Sequence, residues 1–309
     1  MDRVEHSSDA SETANTHAAG VIAGSTPPAE DTRPYAILTG FEPFGSFANE
    51  NPSWEAISTL DGLTVPFHNS TNPHLTSCVA KCCRLPVEYK AVDALVPALH
   101  TTTTTASLST THPPLFYLHL GASSIALPDT LYIETQAHGF GFKALDNKKE
   151  CPADGLACTD GEGQILHPLM TIVDTLLSTF GSSAVSDGAS ASASAAGSTG
   201  DGPSSDDGGA SAVTKGASAS AAEGTTTSRP RKWRLARSDN AGRYLCEYTF
   251  FHSLRASLSD SPADHHRRTP VFFVHVPAVG QGKMLSTQDL REAVREIVAA
   301  LAACSVAVA

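Results

Sequence analysis

Short apolar runs alternate with amphipathic stretches along most of this chain, and that alternation limits its fold more than any other feature. Apolar runs at 35–39, 115–120 and 271–276 predict buried strands. Between such runs, stretches such as 89–99 place their apolar residues at helical spacing on one face. Strands that alternate with helices predict a layered α/β domain. We therefore expect a three-layer α/β/α sandwich around a mostly parallel, twisted sheet.

The other elements that we expect fit the same alternation. Further strands are predicted at 79–87, 130–137 and 233–236. Helices are predicted at 52–60 with Asn51 as cap, at 165–180, at 241–258, and after a cap at Ser286 or Thr287.

Low-complexity composition sets the predicted domain boundaries. Residues 1–33 are polar and aperiodic, and 182–230 consist mainly of Ser, Ala, Gly and Thr, with too little apolar surface to offset the entropy of ordering them. The alternation continues on both sides of 182–230. We therefore predict a disordered tail at 1–33 and a single α/β domain at 34–309, interrupted by a flexible insert at 182–230. Shorter loops are expected around 101–112 and 259–269.

The net charge and the distribution of apolar residues restrict the classes of partner that we expect for this chain. A formal net charge of -11 argues against a nucleic-acid binder, which normally presents a basic face. Residues 1–16 are polar and acidic without the apolar core of a signal peptide, and no run reaches the length of a membrane helix. These features predict a cytosolic protein that interacts with neither nucleic acid nor membrane.

The cysteines predict reduced thiols and no metal site. Their number, seven, is odd, and Cys82 and Cys83 are adjacent and poorly placed for a disulfide. Cys151 and Cys158 are spaced more widely than the ligands of a zinc knuckle and have no second pair nearby.

Cys246 and His275 could together form a nucleophile and its base. Cys246 lies near the start of a predicted helix, where the helix dipole stabilises a thiolate, although an isolated buried cysteine ordinarily just packs. His275 ends the apolar run "VFFVHVP", where a histidine needs a partner. A cysteine at a helix start and a histidine at the carboxyl end of the next strand are the two parts of a thiolate–imidazole pair.

The residues alone leave two further parts of such a site open. A carboxylate that orients the histidine could be Glu134, inside an apolar strand, or equally Glu88 or Asp146. The loop "GFEPFG" places Phe41 and Phe44 after the first strand, where the two rings could line a flat apolar pocket or simply anchor the loop.

Four motifs in order carry a resemblance to a known family. "TGFEPFG…NPSWEA", "LHLG…YIETQAHGFGFKALDN", "AGRYLCEYTFFHSL" and "FFVHVP" resemble pyroglutamyl peptidase I (pyrrolidone-carboxylate peptidase), the cysteine peptidases of family C15, and most of all its animal-type members. The resemblance covers most of 35–180 and 231–303.

The resemblance implies a function and assigns roles to residues. It implies an omega peptidase that removes an N-terminal pyroglutamyl residue from peptides, without metal or cofactor. It implies a catalytic triad of Cys246, His275 and Glu134, and a lactam pocket lined by Phe41 and Phe44. Whether Lys143 contributes stays open, as does the oligomeric state. The alternatives are a cysteine hydrolase for another acyl substrate and a degenerate homologue that binds pyroglutamyl peptides or serves as a scaffold.

Overall fold

A seven-stranded sheet forms the centre of the molecule. The computed structural model describes residues 33–70, 73–101, 112–181, 231–259, 268–280 and 283–308. The sheet strands are β1 Tyr35–Phe41, β2 Thr64–Pro66, β3 Ser77–Leu85, β4 Tyr117–Ser123, β5 Thr130–Glu134, β8 Arg234–Ser238 and β9 Val271–Pro277. A separate small hairpin pairs β6 Ala137–His138 with β7 Ile165–Leu166.

The sheet is mostly parallel, as the alternation predicted. Its strand order is β2-β3-β1-β4-β9-β5-β8. Four of the six pairings are parallel, and only β2 with β3 and β5 with β9 run antiparallel. Because β1, β4 and β9 are parallel neighbours, their carboxyl ends lie along one edge of the sheet, where sites in such folds form.

In the described part of the chain, five α-helices cover the two faces of the sheet, which makes three layers. They are α1 Pro52–Ile57, α2 Tyr89–His100, α3 Met170–Phe180, α4 Leu245–Ser259 and α5 Thr287–Val308. Helices α1, α3 and α5 pack with one core cluster on one face, whereas α2 and α4 pack with the other cluster on the opposite face. The expected α/β/α sandwich is confirmed.

Side-chain caps fix the starts of two helices where the sequence predicted them. The Asn51 side chain accepts a hydrogen bond from the Ser53 N–H at the start of α1 (3.0 Å). Before α5, Ser286 Oγ accepts from the Asp289 N–H, and the Asp289 carboxylate accepts from the Ser286 N–H, each at 3.0 Å.

Two other helix starts were predicted too early. Helix α3 begins at Met170 and not at 165, since residues 165–166 pair with β6 and Leu169 is extended. Helix α4 begins at Leu245 and not at 241, because Gly242 (φ 94°) and Arg243 (φ 48°) adopt left-handed backbone conformations that an α-helix does not contain.

The predicted insert lies outside the described residues, but its two flanks are in contact. The guanidinium of Arg231 lies 4.8 Å from the ring centroid of Phe180, and its Nη1 is 3.4 Å from the carbonyl oxygen of Thr179. The chain therefore leaves and re-enters the fold at neighbouring points. The tail, apart from residue 33, also lies outside the described residues, and both assignments stay predictions.

Candidate active site

Cys246 is the second residue of α4, closer to the helix start than the sequence indicated. The first helical bond in this turn runs from the Tyr248 N–H to the Tyr244 carbonyl (2.9 Å). The N–H groups of Leu245 and Cys246 precede it, so they have no intrahelical acceptor. Cys246 is 7 % exposed and packs with the core cluster of the α2–α4 face. A sulfur at this position lies in the positive field of the helix terminus.

His275 and Glu134 form a buried pair on adjacent strands. His275 lies on β9 and Glu134 on β5, and the antiparallel register sets Tyr132 opposite His275. The Nδ1–H of His275 donates a hydrogen bond to Glu134 Oε1 at 2.7 Å, and both side chains are almost fully buried. Glu134 Oε2 makes no hydrogen bond within the described part of the chain. This geometry fixes the orientation of the imidazole ring.

The His275 ring also interacts with Cys246. The Cys246 sulfur lies over Gly121, the register partner of His275, and is close enough to the imidazole to act on its pKa. Because Nδ1 is engaged by Glu134, the nitrogen left for the sulfur is Nε2. Burial by itself would lower the pKa of His275, but the Cys246 charge and hydrogen bond, together with Glu134, raise this pKa to about 10. An imidazolium held between a thiolate and a carboxylate is the charge state that a cysteine hydrolase uses.

Gly121 provides the space that the Cys246 sulfur occupies. It lies on β4 opposite His275 in the register with β9. A Cβ added at Gly121 would come within 2.6 Å of Cys246 Sγ and 2.8 Å of Phe273 Cζ. A larger residue here would push the sulfur away from the sheet. Sequence reasoning did not single out Gly121, although "LHLG" places a glycine at the carboxyl end of a predicted strand.

A buried carboxylate next to the nucleophile holds the turn before α4. Glu247 is fully buried and accepts hydrogen bonds from the backbone N–H groups of Arg243 (2.8 Å) and His138 (3.0 Å). It also accepts hydrogen bonds from the Arg243 Nη1–H at 2.6 and 2.8 Å and from the His138 Nδ1–H at 2.6 Å. The sequence contained one signal for this role, an acidic residue in the first helical turn.

The two phenylalanines of the "GFEPFG" loop occupy different environments. Phe41 ends β1 and is 1 % exposed within the core cluster that contains Cys246. Phe44 is partly buried, with its ring centroid 6.0 Å from that of Tyr244, the residue before α4. Both therefore lie on the same face of the sheet as Cys246. Phe41 has little surface that a ligand could reach, and Phe44 has more.

The alternative polar residues are engaged elsewhere or exposed. Asp146 accepts backbone hydrogen bonds from Tyr89, Lys148 and Glu150, which lower its pKa although burial acts to raise it. Glu88 pairs with Lys148 at 3.4 Å. Lys143 is exposed, and none of its contacts connects it with the triad residues within the described ranges. Of the three carboxylates, Glu134 is the one next to His275.

The described residues contain neither a cluster of metal ligands nor a membrane-spanning helix. No group of three or more His, Cys, Asp or Glu side chains there is arranged to hold a metal ion. Nor does any helix in those ranges have the length and apolar character needed to cross a membrane.

Comparison with known proteins identifies relatives over most of the chain. Pyroglutamyl-peptidase 1 of Rattus norvegicus and that of Homo sapiens are each 27% identical over 269 residues, which cover 87% of this chain and 90% of the relative. No protein-family model matches the chain. The resemblance to pyroglutamyl peptidase I is thus confirmed in sequence, and these relatives are mammalian.

Solved structures share the fold. The crystal structure of pyroglutamyl peptidase I from Bacillus amyloliquefaciens has a TM-score of 0.52 at 18% identity, covering 87% of this chain and 97% of the other. Pyrrolidone carboxyl peptidase from Thermococcus litoralis has a TM-score of 0.51 at 17% identity, covering 86% and 92%. These similarities confirm the fold.

Proposed function

We propose that this chain is a pyroglutamyl peptidase I, a cysteine-type hydrolase that removes the N-terminal pyroglutamyl residue from peptides. One observation carries the proposal. A cysteine at a helix start, a histidine and a buried glutamate come together from α4, β9 and β5, although Glu134 and His275 are separated by 141 residues in sequence. Three distant segments meet in the order nucleophile, base and orienting carboxylate that acyl transfer requires.

The first chemical step forms a thioester. The Cys246 thiolate attacks the carbonyl carbon of the pyroglutamyl residue, and the electron pair of the C=O bond moves to its oxygen. Backbone N–H groups at the start of α4, including that of Cys246, stabilise this oxyanion. When the tetrahedral intermediate collapses, the C–N bond breaks and His275 gives its proton to the leaving nitrogen.

The second step regenerates the enzyme. His275, now neutral, takes a proton from a water molecule as the water oxygen attacks the thioester carbon. When this second tetrahedral intermediate collapses, the C–S bond breaks, pyroglutamic acid leaves, and Cys246 is again a thiolate beside the protonated His275. Glu134 holds the ring in one orientation through both proton transfers.

Phe41 and Phe44 account for the choice of substrate. A pyroglutamyl residue has no free α-amine, so its neutral, planar lactam requires apolar walls rather than an anionic anchor. Phe44, partly exposed beside Tyr244, supplies the contact surface, and the buried Phe41 sets the depth of the pocket. We expect Phe44→Ala to raise KM for pyroglutamyl substrates.

The test of the proposed function is the release of a fluorophore from a pyroglutamyl amide. We expect the wild-type protein to cleave it and to leave the matching prolyl amide intact, because proline has a charged amine and no lactam carbonyl. Cys246→Ala is expected to lose the activity while keeping its circular dichroism spectrum. A folded wild-type protein that cleaves neither amide would contradict the proposal.

We also propose that residues 34–309 act as one catalytic domain and that the protein works in the cytosol. The contact between the two flanks of 182–230 supports a single domain. A catalytic thiolate among seven cysteines needs the reducing conditions of that compartment. Fractionation of cells that express the tagged full chain would test the location.

A further inference from the structure

An open cleft lies beside the Glu134–His275 pair. Its volume is approximately 330 Å³, and both members of the pair line it, whereas Cys246 does not. Its walls come from the loop that follows β4, from Tyr132 on β5, and from the loop that follows β8. The mechanism above uses the pair but assigns nothing to this space.

The strand order indicates on which side of the reacting atoms the cleft lies. Strands β1, β4, β9, β5 and β8 follow one another across the sheet. Phe41 ends β1, the Cys246 sulfur lies over Gly121 on β4, and His275 is on β9. The cleft extends from β9 towards β5 and β8. Phe41 and the cleft therefore lie on opposite sides of the Cys246–His275 pair.

We propose that this cleft binds the part of the substrate that follows the pyroglutamyl residue, with an apolar side chain against Ile125. The inference rests on the proposed function. His275 protonates the leaving nitrogen, so the first nitrogen of the leaving peptide lies next to the His275 ring. With the lactam ring on the β1 side, the peptide continues towards β5 and β8, where the cleft is.

The lining favours an apolar residue in this position. Ile125 is 92 % exposed, more than any other large apolar side chain of the described residues. A substrate side chain packed on it would remove apolar surface from water. Among the described residues, no lysine or arginine lines the cleft, and the one carboxylate in its lining, Glu134, is already bonded to His275. Ser123, Ser238 and Asn240 provide polar groups for the peptide backbone.

The test compares two substrates that differ only after the pyroglutamyl residue. We expect the wild-type kcat/KM to be higher for pyroglutamyl-leucyl amide than for pyroglutamyl-glycyl amide. Ile125→Ser should lower the value for the leucyl substrate by roughly three- to tenfold, and that for the glycyl substrate by less than about twofold, as the loss of a partly exposed apolar contact implies. Because Ile125 is almost fully exposed, the variant is expected to fold normally.

A matched control and a charged variant sharpen the test. Leu63 is a half-exposed leucine next to β2, at the far edge of the sheet, so Leu63→Ser should change neither value. Ile125→Lys should raise the relative kcat/KM for pyroglutamyl-glutamyl amide, which a purely structural role would not do. A leucyl-to-glycyl ratio that Ile125→Ser leaves unchanged would overturn the cleft assignment alone. Cleavage of neither substrate by the wild type would instead overturn the proposed function.

Discussion

Glu247→Gln is the substitution that tests most sharply how the nucleophile is held. The change keeps the shape of the side chain and removes its charge. In the structure the carboxylate accepts from two backbone N–H groups, from Arg243 Nη1 and from His138 Nδ1. An amide has one acceptor oxygen, and its NH₂ group would face some of these donors without a bond to make.

The expected loss of stability follows from the burial of this cluster. Breaking a buried ion pair by changing one partner costs about 3–5 kcal/mol. The Glu247 side chain is fully buried and that of His138 nearly so, but the Arg243 side chain is 32% exposed, and solvent weakens its contribution. We therefore expect the lower end, about 3 kcal/mol. For a domain of this size, that loss lowers Tm by roughly 6–12 °C.

Thermal unfolding and kinetics would be measured on the same preparations. Glu162→Gln is the matched control, since Glu162 is exposed and its substitution should leave Tm unchanged. Well below its Tm, Glu247→Gln should show a lower kcat, because the turn that positions Cys246 loosens, and a KM close to that of the wild type. A Tm and a kcat equal to those of the control would refute the positioning role of Glu247.

Three further outcomes concern the triad and the insert. His275 must be protonated to release the amine, so kcat/KM should fall at alkaline pH near the raised pKa of His275, about 10. Glu134→Gln removes one of the groups that raise this pKa and should move the alkaline limb to lower pH. An unmoved limb in the pH–rate profile would refute the pairing of Glu134 with His275. Gly121→Ala should reduce kcat/KM by about 100-fold with an unchanged circular dichroism spectrum, because its Cβ would displace the Cys246 sulfur; wild-type activity would show that the sulfur does not need this space. Replacing 182–230 by a short Gly-Ser linker should preserve activity, since the flanks already touch; a variant that no longer folds would show that the segment is not an insert.

Periodicity was sufficient to predict the architecture. Continuous apolar runs and one-sided stripes are local signals, and they predicted six of the seven sheet strands and the five α-helices of the described residues within a few residues. The short edge strand β2 was not predicted. The start of α4 was placed too early because Ala241 and Tyr244 fit the helical spacing. The helix cannot begin earlier because Gly242 and Arg243 adopt left-handed backbone conformations. Hydrophobic spacing carries no information about backbone conformation.

The site was predictable only in part from the residues themselves. Cys246 and His275 could be paired because the rule for carboxyl ends of parallel strands applied to both. Glu134 could not be preferred over Asp146, since β5 joins the sheet antiparallel to β9 and no local pattern shows which strand lies next to His275. The role of Glu247 depends on His138, 109 residues away, so its contacts appear only in the folded chain.

The central claim is that Cys246 is the nucleophile of a site that recognises a pyroglutamyl group, and affinity labelling tests it most directly. A pyroglutamyl chloromethyl ketone should alkylate Cys246 alone among the seven cysteines, as peptide mapping by mass spectrometry would show. Labelling should slow strongly in His275→Ala, and an acetyl-leucyl chloromethyl ketone should react far more slowly than the pyroglutamyl reagent. Alkylation of another cysteine in preference to Cys246, or equal rates for the two reagents, would contradict the claim.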